Sequence, residues 1–336
     1  MAAPRALVTG AAGFIGSHVT DECLALGLDV VATDDLSGGF RENVPAGATW
    51  VQGDLRDADF VKSLWHGARF DHVYHLGAYA AEGLSHFIRA YNYRTNLEAS
   101  VNLINQSVLH DCERFVFTSS IAVYGRGQVP MTEDMTPLPE DPYGISKYAV
   151  ELDLAAAHEM FGLPYTVFRP HNVYGERQNI ADRYRNVIGI FLNNVLRGQS
   201  MPVFGDGLQT RAFSHIVDVA PIIARTPLVA DSASEVYNIG ADTPYTILEL
   251  ASEVADACGV ELVVEHLPAR NEVVHAFSDH SKVRRDFDPP EPLDLRTGIR
   301  RMTEWVHEHG SREPIEFRGE IEVERNRPPS WRQPVP

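Results

Sequence analysis

Arg5-Ala6-Leu7-Val8-Thr9-Gly10-Ala11-Ala12-Gly13-Phe14-Ile15-Gly16 decides how the rest of the chain is read. A short apolar and β-branched run meets three glycines spaced three apart, and a helical pattern follows over Gly16–Leu26. A strand that turns through glycine into a helix leaves the helix's first N–H groups unpaired above the turn, where an anion can take them. Glycine allows the tight turn, a close approach of backbone to a pyrophosphate, and close helix packing. The spacing differs from the dinucleotide GxGxxG, so a plain glycine-rich turn is the alternative reading of this stretch alone.

Working outward, short strand-like runs alternate with helical ones: Leu28–Thr33, Thr49–Gln52, His72–Leu76, a helix over Thr95–Leu109, Phe115–Thr118, a helix from Pro142, and Tyr165–Arg169. Strands separated by helices imply an α/β, Rossmann-like, doubly wound parallel sheet with right-handed crossovers. Phe115-Val116-Phe117 is apolar on both faces, as a sheet covered by helices requires. After Asn172 the pattern loosens: 177–185 is polar and irregular, Met201–Gly207 reads as a short strand and turn, and helices resume at Ile247–Cys258 and Thr297–His309. We therefore expect a Rossmann domain of residues 1–172 plus about 214–240, and a smaller α/β C-terminal substrate domain of about 173–213 plus 241–324. The proline-rich tail 325–336 is expected to hold no regular structure, with Trp331 as an anchor to the body.

Composition narrows the function. The 336 residues are 44% hydrophobic and 22% charged, ordinary for a globular protein. Forty-six Asp and Glu against 29 Lys and Arg leave a net charge of −17, which repels phosphate backbones and argues against nucleic acid as a partner. No apolar run is long enough for a membrane span. Cys23, Cys112 and Cys258 stand far apart without metal-ligand spacing, which reads as thiols in a reducing cytoplasm, and no metal site is expected. Met1–Arg5 shows no charged-then-apolar leader.

Asp34 ends the second strand, 18 residues beyond Gly16, where a carboxylate can accept the ribose hydroxyls of NAD and repel the extra phosphate of NADP. A solvated strand-end aspartate is the plainer reading. Asp54 follows the third strand and suits either an adenine amino group or a helix N-cap. Asp141 and Pro142 read as N-cap and first-turn proline of a helix carrying Tyr143 and Lys147 on one face. The ammonium, the helix terminus and an oxidised nicotinamide would all lower the phenol's ionisation from its ordinary value near 10. Ser120, at a strand end before that helix, supplies a hydroxyl.

At this point the sequence resembles the extended short-chain dehydrogenases/reductases, in the nucleotide-sugar epimerase branch typified by UDP-glucose 4-epimerase. The resemblance runs from Val8-Thr9-Gly10 to about Trp305. It includes Asp34-Asp35-Leu36-Ser37-Gly38, His75-Leu76-Gly77-Ala78, Asn96, Arg169-Pro170-His171-Asn172, Phe204-Gly205-Asp206-Gly207 leading to Arg211, Asp218-Val219, Asn238-Ile239-Gly240 and Asp279-His280-Ser281-Lys282. It implies NAD as cofactor, held by Gly10, Gly13, Phe14, Ile15, Gly16, Asp34, Asp35, Leu36, Ser37, Gly38, Asp54, Leu55, Leu76, Gly77 and Ala78. Asn96 and Pro170 would position the nicotinamide side. Tyr143 would be the general base, Ser120 would bridge the same oxygen, and Lys147 would bind the nicotinamide ribose and tune Tyr143. Asn172, Arg211 and Arg270 would hold the diphosphate of a nucleotide-diphosphate sugar, Glu272 the nucleotide's ribose, and Val203 and Phe204 would line the substrate side. For Arg211 and Arg270, surface salt bridging is the alternative.

Departures from the family refine this. The related sugar-nucleotide 4,6-dehydratases carry an Asp-Glu pair just after the Ser/Thr, where this chain has Ile121 and Ala122, so dehydration is disfavoured. The loop Tyr79–Ser85 lacks the cation that some epimerases place there and has Glu82, which suits a neutral hexose over a uronic acid, or is simply solvated. Arg211-Ala212-Phe213 has Ala where Asp is usual, and Arg270-Asn271-Glu272 is one residue short, so neither reads the nucleotide base. The expectation is C4 epimerisation of a UDP-hexose. The alternatives are another sugar nucleotide or carbon position (UDP-glucuronate at C4, a GDP- or CDP-hexose, C2 or C3), or a non-catalytic NAD-binding protein. The resemblance also implies a homodimer through the helices near Thr95–Leu109 and Pro142–Met160; Leu97, Val101 and Ile104 could serve that face or the sheet.

Overall fold

A computed structural model describes residues 3–127, 129–269, 273–313 and 316–332. Its centre is a seven-stranded sheet of β1 (Arg5–Thr9), β2 (Asp29–Asp34), β3 (Thr49–Gln52), β4 (His72–His75), β5 (Arg114–Thr118), β6 (Tyr165–Pro170) and the strand Glu235–Ile239. All neighbouring pairs are parallel, in the order Glu235–Ile239, β6, β5, β4, β1, β2, β3. β1 therefore sits between β2 and β4, with Thr9 level with both Thr33 and His75. There the strand order reverses, and a doubly wound sheet opens a crevice beyond its carboxyl ends.

The two-faced apolar strands explain the layers. Phe115 and Phe117 face one side and pack with Leu103 and Leu154 of the helices Ala99–Leu109 and Pro142–Phe161. Val116 faces the other side with Tyr74, Phe168, Ile216 and Ile223. This second layer contains the helix Ile216–Ala224, which the sequence reading missed because Pro221 stands inside it and reads as a break. Past β6, a third cluster of Phe191, Leu192, Leu250, Val254, Ile299 and Met302 forms a core of its own.

Several boundaries differ from expectation. The first helix begins at Phe14, so Gly13 rather than a polar residue is its N-cap, and no side chain caps it. The helix Ala58–Leu64 was not foreseen, and its N-cap is Asp57, which accepts from the Asp59 and Phe60 amides. Asp54 is thus not the cap. The helix Val187–Leu196 was also missed, after a polar stretch that hides its apolar face. The helix expected over Thr95–Leu109 begins instead as a π turn, Arg94–Glu98, continuing the short helix Arg89–Tyr93, and is regular only over Ala99–Leu109.

The tail needs a correction. Pro329–Arg332 is one helical turn, and Trp331 within it is buried against Gly83, Phe87 and Tyr184. Proline is tolerated there because the first turn needs no N–H donor. Upstream, the Glu322 amide donates to the Phe87 carbonyl at 2.8 Å, and the Glu322 carboxylate accepts from the Ala90 and Tyr91 amides at 2.8 and 2.9 Å. A strap from 316 to 332 is thereby tied across the segment after β4. Leu97 and Ile104 pack into the sheet-side core, so of the two roles open to them the sheet is the one occupied. Cys23, Cys112 and Cys258 are free thiols, and no helix among the described residues is long and apolar enough to cross a membrane.

Candidate active site

A cavity of about 570 Å³ opens at the carboxyl end of the sheet, and most of the residues singled out from sequence line it. Gly10, with φ at +67°, turns the chain off β1, and a Cβ there would lie 2.7 Å from the Gly77 amide nitrogen beyond β4. A Cβ on Gly16 would lie 2.0 Å from the Gly10 carbonyl oxygen. Only glycine lets the turn, the helix and the β4 end come this close. The helix N-terminus, bare of any side-chain cap, faces the cavity through Gly13, Phe14, Ile15 and Gly16. Its open N–H groups and dipole suit a diphosphate.

Asp34 lies at the end of β2, its carboxylate accepting from the Leu36 amide at 2.7 Å and the Ala12 amide at 3.2 Å. Burial pushes this carboxyl above its ordinary range, and those amides pull it back in part. Arg41, the nearest cation in sequence, lies instead over the Trp50 ring at 4.9 Å. Asp35, Ser37, Gly38, Asp54, Leu55, Leu76, Gly77, Ala78 and Pro170 complete the cofactor-side lining. Asp54 is gripped by Arg56 through Nε and an Nη at 2.6–2.9 Å, which holds its carboxyl below the usual range.

Leu36 and Asn96 depart from the expectation. Leu36 packs toward the core below β2 and is not part of the main cavity's lining. Asn96 is buried and does not reach it either: its Oδ1 accepts from the Tyr79 amide at 2.8 Å, and its Nδ2 donates to the Tyr79 carbonyl at 3.1 Å. Placed by the π turn, Asn96 holds the wall from behind.

Ser120, Tyr143 and Lys147 do meet. Ser120 caps the turn Ile121–Tyr124, with its Oγ accepting from the Ala122 amide at 3.1 Å. Asp141 caps the helix Pro142–Phe161 by accepting from the Gly144 amide at 2.9 Å, which aims Tyr143 and Lys147 into the cavity. Burial pushes the Tyr143 phenol well above its ordinary value, while a hydrogen bond with Ser120 opposes this. The expectation of a lowered phenol is therefore corrected for the protein's own groups: desolvation outweighs the hydrogen bond. Lys147 is fully buried and pushed down to about 7 by desolvation, with Glu151 opposing. Behind them Glu151 pairs with Arg169 at 2.5 Å and takes the Ser119 hydroxyl at 2.5 Å.

On the substrate side Asn172, Phe204 and Arg211 line the cavity, as does Glu82, whose charge raises the Tyr143 phenol further. The Asn172 side chain donates to the Ala212 carbonyl at 3.0 Å, and Arg211 donates to the Thr210, Val273 and Val274 carbonyls. Val203 is a correction: it is completely buried in the third core cluster. Its strand Met201–Phe204 alternates, so Phe204 faces the cavity when Val203 faces inward. Arg270 and Glu272 lie outside the described residues. Among the described residues no group of three His, Cys, Asp or Glu could hold a metal. Sequence reading missed Arg185 and Tyr184, which also line the cavity from an irregular segment without periodic signal.

The pattern of the NAD dependent epimerase/dehydratase family matches residues 6–240. The chain belongs to that family. Its fold is similar to UDP-glucose 4-epimerase of the hyperthermophile Thermotoga maritima, solved with UDP-glucose, with a TM-score of 0.86 and 31% identity over 91% of this chain and 99% of that one. It is similar also to UDP-glucose 4-epimerase of Thermus thermophilus, solved with NAD, with a TM-score of 0.84 and 31% identity over 90% and 99% of the two chains. A dTDP-glucose 4,6-dehydratase of Streptomyces niveus is 31% identical over 320 residues, covering 91% of this chain and 93% of that protein. The cofactor of this family is NAD, and the glycine loop, which a Cβ would block, fits it.

Proposed function

We propose that the chain is a nucleotide-sugar epimerase acting at C4 of a UDP-hexose, interconverting UDP-glucose and UDP-galactose. The observation that carries this reading is the meeting of Ser120, Tyr143 and Lys147 in one cavity, with Ile121 and Ala122 where dehydratases carry an acid pair. When bound, NAD would supply the hydride acceptor and donor, and its positively charged ring would favour an ionised phenol. Tyr143 takes the proton of the sugar's 4-hydroxyl at its phenolic oxygen. Ser120 hydrogen-bonds the same oxygen and holds it in line. Lys147 would hold the nicotinamide ribose, and its charge would stabilise the phenolate. The 4-keto sugar, held by its diphosphate at Asn172 and Arg211, would turn about that linkage and present its other face to the hydride that bound NAD would supply. Tyr143 then returns the proton. Glu82 accepts from sugar hydroxyls.

The apolar side chains of Leu109, Leu152, Met160 and Phe161 stand exposed on the two helices beside the sheet, which supports a homodimer through them. The free cysteines, with Cys23 and Cys112 pushed up to about 12 by burial, support a reducing cytoplasm. We divide the chain into a cofactor domain of residues 1–172 and about 214–240 and a substrate domain of about 173–213 and 241–324 whose core is the separate third cluster, although Val283 and Phe287 of the helix Ser281–Phe287 pack with Phe168 and Tyr237 of the first domain.

Incubation with UDP-glucose followed by NMR of the sugar nucleotide tests the activity, and appearance of UDP-galactose is expected. Tyr143→Phe is expected to lower turnover by about 10² to 10⁴. Undiminished turnover in that variant refutes the mechanism. Turnover only with UDP-glucuronate or a GDP- or CDP-hexose moves the reading to that substrate.

A further inference from the structure

The segment 177–186 has no role in the chemistry above, yet it is fastened to the cofactor loop. The Asn179 side chain donates to the Gly38 carbonyl at 3.3 Å, and the Asn43 side chain donates to the Arg177 carbonyl at 3.3 Å and the Ala12 carbonyl at 3.1 Å. Arg185 stands beside the first of these ties, at Gly38. Its Nε donates to Asp182 at 2.6 Å, and its guanidinium carbon lies 4.9 Å above the Tyr79 ring. One terminal nitrogen lies 3.1 Å from where a Cβ of Gly38 would be. Any larger residue at 38 would push the guanidinium away.

We propose that Arg185 is a ligand of the cofactor's diphosphate, reaching it from opposite the glycine loop, and that 177–186 is the clasp that keeps NAD bound between turnovers. The electrostatics call for such a group. The protein carries a net charge of −17, and Asp34, Asp35 and Asp54 all line the cofactor side. The glycine loop offers a dianionic diphosphate only dipoles, and Tyr79–Ser85 contains no cation. Other arginines lining the cavity are committed elsewhere: Arg56 to Asp54, Arg126 to Glu140 at 3.0 Å, Arg177 to Asp21 at 2.6 Å, and Arg211 to three main-chain carbonyls. Arg185 is different. Among the described residues Asp182 takes its Nε, which leaves the two-nitrogen end of the fork toward the cavity. A planar fork stacked on an aromatic ring is pre-organised for a phosphate, which accepts its parallel N–H groups. The Asp182 contact holds it in place.

The inference rests on the NAD dependence of the family and not on which sugar is turned over. The test is the rate at which the purified holoenzyme exchanges bound NAD for isotopically labelled NAD, read by mass spectrometry. Arg185→Ala is expected to speed exchange about ten- to a hundred-fold, the range of one charge-assisted hydrogen bond or a little more. Binding of UDP, measured by calorimetry on the same preparation, is expected to stay within twofold. Arg185→Lys keeps a charge beside Asp182 but loses the fork, and is expected to speed exchange severalfold; it also serves if the alanine variant does not fold. Exchange at the parental rate in a folded variant overturns the proposal. So does weakened UDP binding with unchanged NAD exchange, which would assign Arg185 to the sugar nucleotide. Neither readout needs epimerase turnover, so a failure of the proposed activity would show separately.

Discussion

The Lys147 ammonium donates to the main-chain carbonyl of Thr118 at 2.8 Å and lies 5.9 Å from the centre of the Tyr143 ring. It hangs from the last residue of β5, and its position is fixed by the sheet before any cofactor or substrate arrives. Its burial lowers its proton affinity to about 7 from an ordinary 10.5. Between those two values the unfolded chain holds more proton than the folded one, so this group's contribution to stability improves as pH rises through that window. Below about 7 the cost of burying the ammonium is borne in full. Lys147→Met removes that cost. Thermal and urea unfolding of both proteins is expected to show the parent gaining on the variant by about 1.4 kcal/mol per pH unit above neutrality. A pH-independent difference would contradict this account of Lys147.

Gly16→Ala places a methyl 2.0 Å from the Gly10 carbonyl, a contact that backbone must move to relieve. The glycine loop would shift off the helix N-terminus and lose its approach to the diphosphate. We expect purified Gly16→Ala protein to carry less than about a tenth of the parental NAD, equivalent to at least about 1.4 kcal/mol of lost binding. Absorbance of the released nucleotide measures it. Gly27→Ala makes the contrast: nothing lies within 4 Å of a Cβ there, so its only strain is that of a φ of +82°, and NAD content per folded protein should not change.

Glu151 and Arg169 form an ion pair with side chains only 5% and 4% exposed, one helical turn beyond Lys147. Removing one member leaves the other buried and uncompensated. Arg169→Met is expected to cost about 3–5 kcal/mol in urea unfolding. The double variant Glu151→Gln/Arg169→Met should cost distinctly less than Arg169→Met alone, because neither member of the pair is then left charged without the other. Equal costs would mean that the pair is not coupled.

Trp331 is 7% exposed and seals the strap against Gly83 and Phe87. Trp331→Ala should release the strap with a local loss of about 3 kcal/mol, at the low end for a buried tryptophan. Hydrogen exchange is the measurement: the Glu322 and Val323 amides, which donate to Phe87, should exchange faster, while amides of β5 stay protected. A uniform loss of protection through the sheet would show instead that the strap folds as one unit with the core.

Much of this architecture was legible in the sequence, for identifiable reasons. β5 and β6 announced themselves because burial on both faces forces consecutive apolar residues, Phe115-Val116-Phe117 and Val167-Phe168. The glycine loop, Asp34, Ser120, Tyr143 and Lys147 were legible because each is a residue type demanded by backbone space or proton chemistry at a strand end or helix start. What stayed hidden was set by contacts between distant segments. Asn96 looked like a cavity residue because its residue type fits, but the π turn directs it to the Tyr79 backbone. Arg185 gave no periodic signal, since its place depends on Tyr79 and Gly38, more than a hundred residues earlier in the sequence. Val203 and Phe204 could not be told apart until the strand's facing was known. Pro221 concealed a helix that tertiary packing sustains.

The π turn at Arg94–Glu98 ties the shape of the cofactor's wall to the phase of a helix. Deleting one residue there would restore a regular helix, and by local propensity alone the shortened segment would be content. Side chains beyond the cut would keep nearly the same phase, because a π turn takes up one residue more per turn than an α-helix, but those inside the turn would be redirected. Asn96 would let go of Tyr79, and the aromatic shelf beneath Arg185 would lose its backing. At this spot a tidier helix makes a poorer binding site, so an engineer who smooths the irregularity to gain heat resistance works against the enzyme.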